Sequence, residues 1–264
     1  MGEAIVVTSG KGGVGKSTTS ANIGTALALS GKRVCLLDTD IGLRNLDVLL
    51  GLENRIIYDL VDVTQQKCNI EQAWIKHKRC DTLYLLPAAQ TKDKSAVDAK
   101  QLRWLIAELK ERLDYVIIDC PAGIEMGFKN AITGADRAIV VTTPENTAIR
   151  DVDRVIGILE KEQVPQPKLV VNRFRPQMVK EGGMMDVEEV LSVLSIDLLG
   201  VVPDDEEVIR AGHQGEPIVL HHRNLAAKAY RNIARRIQGE IVPLLPLDPD
   251  RKLFHRMKRW LGFA

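Results

Sequence analysis

Seven short apolar runs, rich in β-branched residues, recur along the chain at positions 5–7, 34–37, 83–86, 115–118, 138–141, 169–171 and 199–202. Each is continuous rather than alternating, which is the pattern of a strand covered on both faces. Between most of them the apolar residues fall at helical spacing. The first such stretch covers 20–30, with Gly31 placed where a helix end takes up a left-handed backbone. Strands alternating with helices predict an α/β fold: a mostly parallel β-sheet with helices on both faces, binding ligands at the carboxyl ends of its strands.

The loop after the first run carries the strongest chemical signal. It reads GKGGVGKST, comprising Gly10, Lys11, Gly12, Gly13, Val14, Gly15, Lys16, Ser17 and Thr18. The glycines let the main chain curl around an anion, and the helix that follows offers unpaired N–H groups at its positive end. Lys16 adds a point charge, and Ser17 a hydroxyl where Mg²⁺ bridging two phosphates needs a ligand. This completes the G-x-x-x-x-G-K-[ST] pattern of a P-loop. Gly10, Gly12 and Gly15 also spell a dinucleotide-binding G-x-G-x-x-G, with Asp38 near the distance of its ribose-binding acid, about 20 residues. Lys16 and Ser17 have no use in that turn, however, and a second acidic strand end at Asp119 suits a metal-coupled phosphate site. Asp38 and Asp40 close the second run as Asp119 closes the fourth. A lone aspartate at a strand end is commonly a helix N-cap, but three together with Lys16 can converge on one Mg²⁺ and its phosphates.

Composition bounds the remaining classes. With 264 residues, 45% hydrophobic and 27% charged, the chain can bury one large core, and a net charge of +1 argues against a general affinity for nucleic acid. Cys35, Cys68, Cys80 and Cys120 show no C-x-x-C spacing, so neither a zinc site nor a disulfide framework is expected, and a reducing cytoplasm is the simpler setting. The apolar run at 4–7 is too short for a signal peptide, and no stretch reaches membrane-spanning length.

A P-loop with these acids needs little covalent chemistry. Phosphoryl transfer to water requires the γ-phosphate to be held, its oxygens neutralised and the attacking water aimed. Lys16 and Mg²⁺ neutralise; Asp119 supports the metal, mainly through a coordinated water; Asp38 or Asp40 orients the nucleophile. Lys11 is additional, and either backs up Lys16 within its own loop or reaches a nucleotide held by a second subunit.

GKGGVGKST with its early lysine resembles the deviant Walker A motif of the MinD/ParA ATPases. The segment DTDIGLRNLDVLLG and the segment DCPAGIE, where Cys120 replaces the family's threonine, resemble the same family, as does PENTAIRDVDR in layout. The resemblance covers nearly the whole chain. It implies an ATP-hydrolysing switch with ATP and Mg²⁺ as cofactors, an ATP-bound homodimer in which Lys11 contacts phosphate in the partner's site, and Asp151 near the face used by activators. It further implies that Asn172, Pro203 and Asp205 frame the adenine, that Asp40 bears on the metal through water, and that the protein selects the division site with a MinC-like inhibitor and a MinE-like activator. A nitrogenase-reductase-like iron protein shares the motif, but Cys80 and Cys120 lack its ligand contexts.

The C-terminus adds an independent clue. The chain divides into a P-loop domain at 1–242, a proline-rich linker at 243–250 and the segment RKLFHRMKRWLGFA at 251–264. As a helix, Leu253, Phe254, Met257, Trp260 and Leu261 fall within an arc of about 120°, and five Lys and Arg side chains occupy the rest. Such a segment satisfies both faces by lying in an anionic membrane surface, so reversible, peripheral attachment to the inner face of the cell membrane is expected. A ParA-like DNA-partition ATPase is the alternative, and the amphipathic tail stands against it. A nucleotide sensor that does not hydrolyse is a further alternative, separated by measured turnover.

Overall fold

The structure is a computed structural model, and it describes residues 1–247; the expected membrane helix at 251–264 lies outside the described residues. Eight strands form one sheet: β1 (Glu3–Thr8), β2 (Val34–Asp38), β3 (Ile75–Lys76), β4 (Leu83–Leu86), β5 (Tyr115–Asp119), β6 (Arg137–Thr142), β7 (Lys168–Phe174) and β8 (Asp197–Pro203). Their order is β3-β4-β2-β5-β1-β6-β7-β8, parallel except for the antiparallel β3–β4 pair. The helices are α1 (Lys16–Leu29), α2 (Leu46–Leu49), α3 (Leu60–Thr64), α4 (Ile70–Ala73), α5 (Ala99–Arg112), α6 (Met126–Ile132), α7 (Asn146–Lys161), α8 (Pro176–Lys180), α9 (Val187–Leu194), α10 (Glu206–His213) and α11 (Leu225–Ile237).

All seven expected strands are present. Alternate residues of each continuous apolar run feed two separate cores: Ala4, Val6, Val116 and Ile118 pack with α5 and α7, whereas Ile5, Val7, Leu36 and Ile117 pack with α1 and α11. This double burial is what the unbroken apolar runs reflect. Helix α1 begins at Lys16, earlier than its apolar pattern suggests, because the phosphate loop itself supplies the first turn. It ends as expected. Gly31 has φ of +87°, its N–H donates to the Ala28 carbonyl at 2.9 Å, and Lys32 N–H donates to the Leu27 carbonyl at 3.2 Å, a complete Schellman stop.

Strand order and register set the site. The chain leaves β1 toward β2 on one side and resumes at β6 on the other, so a crevice opens above the carboxyl end of β1. Across that edge Asp119 pairs in register with Val7 on one side and Asp38 on the other. The loop after β1 and both acids therefore reach the same level.

The sheet edges are guarded by arginines. Arg55 donates to the Lys76 carbonyl on β3 at 3.0 Å, and Arg236 to the Leu199 carbonyl on β8 at 2.9 Å. Arg236 also donates to the carbonyls of Val242 at 2.9 Å and Pro243 at 2.8 Å, and Leu245 packs on the core. The described part of the proline-rich segment is thus laid along the domain.

Candidate nucleotide site

Three of the loop glycines have distinct reasons to be glycine. Gly13 and Gly15 take φ of +80° and +90°. Gly10 has no such angle, but a Cβ there would be driven into the Asp151 backbone on α7, and a Cβ on Gly15 would overlap the Asn172 amide. Asn172 in turn donates from Nδ2 to the Val14 carbonyl at 2.8 Å, tying β7 to the loop. Gly12 differs: nothing lies within 4 Å of a Cβ built there.

Below the loop, Lys16 Nζ donates to Asp119 Oδ1 at 3.0 Å and to Ser17 Oγ at 3.3 Å. Ser20 Oγ, one turn on, donates to the same Asp119 oxygen at 2.8 Å. Burial works against the Lys16 charge, but Asp119 outweighs it and raises the ammonium pKa above its ordinary value. Lys16 is a fixed cation. Neighbouring Cys120 is fully buried, which pushes its thiol up to about 12 and keeps it inert. Lys11, by contrast, is exposed and has no ion-pair partner among the described residues.

The two aspartates after β2 part company. Asp38 is 1% exposed, and its carboxylate accepts from the N–H groups of Asp40 at 3.0 Å, Asn45 at 3.2 Å and Leu46 at 3.3 Å. It organises the turn from within and does not line the cavity, whereas Asp40 and Asn45 do. Burial, and then the Asp119 charge, push the Asp38 carboxyl up to about 7 against the pull of those three amides.

A cavity of about 550 Å³ is lined by Lys11, Lys16 and Ser17, by Asn172 against the loop, by Arg173, Pro203, Asp204 and Asp205, and by Val208 and Ile209 of α10. A one-residue bulge in β7, between Val171 and Phe174, carries Asn172 and Arg173 to the rim, and Arg173 sits at φ of +53°. The three expected base-end residues thus share one cavity with the phosphate loop. Asp119, Val14, Gly10 and Asp151 support it from outside. Ser20, Asn45 and Arg173 were not singled out from the sequence; Ser20 was findable, since it lies four residues after Lys16 on one helix face.

The metal donors available are oxygen: the Ser17 hydroxyl and the Asp40 carboxylate beside the loop. Among the described residues no group of three or more His, Cys, Asp or Glu side chains could hold a metal ion by itself. That fits Mg²⁺, which keeps several waters and takes one or two protein oxygens together with substrate phosphates.

A parallel sheet with this loop at the carboxyl end of its first strand, above paired Lys16 and Asp119, defines a P-loop NTPase. The chain matches the family model described as ParA: NUBPL iron-transfer P-loop NTPase over residues 1–238. It is 62% identical to the septum site-determining protein MinD of Bacillus subtilis over 99% of both chains, and 50% identical to that of Thermotoga maritima over 92% of this chain and 91% of the relative. Among solved structures it resembles the MinC:MinD cell division protein complex of Aquifex aeolicus, with a TM-score of 0.87, 46% identity, and 92% of this chain and 98% of that one covered. It also resembles the Pyrococcus horikoshii septum site-determining protein MinD complexed with Mg-ADP, with a TM-score of 0.81, 29% identity, and coverage of 90% and 96%. The chain belongs to the ParA family of P-loop NTPases, in its MinD branch. It is an ATPase that works with Mg²⁺ in the placement of the division site.

Proposed function

We propose that this chain is an ATP-driven switch: ATP joins two copies and favours attachment to an anionic membrane through residues 251–264, and hydrolysis releases them. The observation that carries the reading is the single cavity lined together by a fixed Lys16 cation, the Ser17 hydroxyl and Asp40, and by Lys11, which has no ion-pair partner among the described residues. A MinC-like inhibitor and a MinE-like activator are the partners; the Aquifex complex supports the first, and the activator would meet the face near Asp151 on α7.

Lys16 holds the β- and γ-phosphates from below, and backbone N–H groups of 12–17 take their oxygens. Mg²⁺, when bound beside Ser17 and Asp40, neutralises charge that develops on those oxygens. Asp119 keeps Lys16 in place and would support the metal through water. Asp40, which lines the cavity where Asp38 does not, aims the attacking water; Asp38 holds the turn that carries Asp40. Lys11 reaches the phosphates of the second copy. Asn172, Pro203 and Asp205 frame the adenine. Among the described residues no helix is long and apolar enough to cross a membrane, so attachment falls to the tail. One tail binds weakly, because each cation near anionic lipid is worth about 1 kcal/mol and a short helix must be ordered on binding. Two tails on one dimer gain avidity of roughly 10²- to 10⁴-fold.

Sedimentation with anionic vesicles tests this, comparing the full chain with one ending at Pro249, in Mg-ATP and in Mg-ADP. Pelleting that needs both ATP and the last segment is expected; pelleting in neither nucleotide overturns the switch.

A further inference from the structure

The base end of the cavity is not held together by its own loop. Asp205 is the N-cap of α10, with one oxygen accepting from Glu207 N–H at 2.9 Å, and its other oxygen accepts from the Asn224 side-chain amide at 2.8 Å. Asn224 is itself the N-cap of α11, where its Oδ1 accepts from Ala227 N–H at 2.9 Å. One side chain therefore starts one helix and pins the residue that starts another. An amide can do both because it carries an acceptor and a donor; an aspartate keeps the cap and loses the donor.

The segment presenting Asn224 is fixed in turn. Arg231 on α11 donates to the carbonyls of Val219 at 2.8 Å and His222 at 3.0 Å. Val219 N–H donates to Asn22 Oδ1 at 3.1 Å, while Asn22 Nδ2 donates to the Thr18 carbonyl at 2.8 Å. A hydrogen-bonded line thus leads from Thr18 in the phosphate loop through Asn22 and 219–222 to Asn224 and Asp205, passing outside the cavity. It fixes the spacing between the phosphate end and the base end.

We propose that Asn224 is the positioning residue for the nucleotide base. It lies outside the cavity lining and holds the Asp205 carboxylate and the 203–205 loop in one orientation. A carboxylate held against the six-position of a purine accepts from the adenine amino group and repels the guanine carbonyl oxygen. Selectivity for adenine is therefore set from behind the wall. This rests on the reading that the end lined by Pro203 and Asp205 takes the base.

The test is steady-state hydrolysis of ATP and GTP by the full chain and by Asn224→Asp and Asn224→Ser, with thermal melts of each. Both variants keep a competent N-cap, so near-wild-type melting is expected. Loss of a hydrogen bond to a charged group raises KM for ATP about ten-fold in N224D, with kcat within about two-fold, and shrinks the preference for ATP over GTP by a similar factor. N224S, which replaces the amide donor by a shorter hydroxyl that draws back from Asp205 and adds no charge, moves the same way by less. A wild-type chain with no preference for ATP overturns the reading of the base end itself. A wild-type preference that survives in both variants, or a loss confined to kcat, overturns the role of Asn224 and leaves that reading standing.

Discussion

The two ends of the cavity are built in opposite ways. The phosphate end is nine consecutive residues at one strand-to-helix junction, with Asp119 holding Lys16 from beneath and Ser20 donating to the same Asp119 oxygen. The proposed base end is assembled from Arg173 on a bulge of β7, the 203–205 loop, α10, and Asn224 at the start of α11, with Asn172 joining it to the phosphate loop. One end is made of backbone and one fixed cation, so on the proposed reading it serves any nucleoside triphosphate. The other is made of side chains from four separate segments, and on that reading it tells one base from another. Affinity and selectivity would then reside at different ends, and substitutions should separate them.

The largest expected effect is at the phosphate end. Lys16→Gln removes the cation that neutralises the oxygens on which charge develops, and kcat for ATP and GTP alike should fall by about 10²- to 10³-fold. It also leaves Asp119 buried with Ser20 as its remaining side-chain partner, a change that typically costs about 3 to 5 kcal/mol in the nucleotide-free protein. Hydrolysis assays with both nucleotides, beside denaturant unfolding, check both halves. A loss restricted to ATP would break the comparison.

Next is Gly10→Ala. Its Cβ meets the Asp151 backbone rather than a flexible side-chain tip, so the loop or α7 must shift, at about 1 to 3 kcal/mol. Unfolding without nucleotide should show this loss in full, which marks Gly10 as a residue of packing rather than of ligand contact.

These contrasts explain what the sequence made legible. The phosphate loop could be read because its function lies in contiguous residues of fixed type, and the seven strands because double burial leaves unbroken apolar runs. The two-residue β3 could not be read, since Ile75 and Lys76 take extended form only by pairing with Leu85 and Tyr84. The ends of β7 and β8 extend past their apolar cores through ladder bonds to each other. Asp38 and Asp40 were indistinguishable by type and spacing; what separates them is that the turn folds its three N–H groups onto Asp38. Asn224 carried no signal at all, because its partner Asp205 lies in another loop.

Asp38 offers a pH readout of that buried arrangement. Burial and then the Asp119 charge push its carboxyl up to about 7 in the folded chain, from an ordinary value of 3.8. The folded state therefore holds a proton that the unfolded state releases between those values. Its contribution to stability is complete below the unfolded value and is lost as pH rises through 7. Nucleotide-free wild type should lose stability relative to Asp38→Asn from about pH 4 to pH 7, at up to about 1.4 kcal/mol per pH unit, and the difference should level off above. Urea unfolding of both chains across that range checks it; a difference that stays flat or grows with pH overturns the assignment.

The smallest effect on stability is expected at Gly12, and it is informative for that reason. A Cβ there meets nothing within 4 Å, and the backbone has no left-handed angle to protect. Folding gives no reason for glycine. Gly12→Ala should leave the nucleotide-free chain unchanged or stabilise it by about 0.4 to 1 kcal/mol, through the unfolded state. On the proposed function, a side chain at Gly12 would be opposed from outside the chain, by phosphates or by the proposed second copy. Thermal melts with and without Mg-ATP separate these origins from a dispensable glycine. Wild type should gain stability on adding nucleotide, and G12A should gain little while melting normally without it. An equal gain in both chains would show that this face of the loop has room to spare, and would remove Gly12 from the phosphate end altogether.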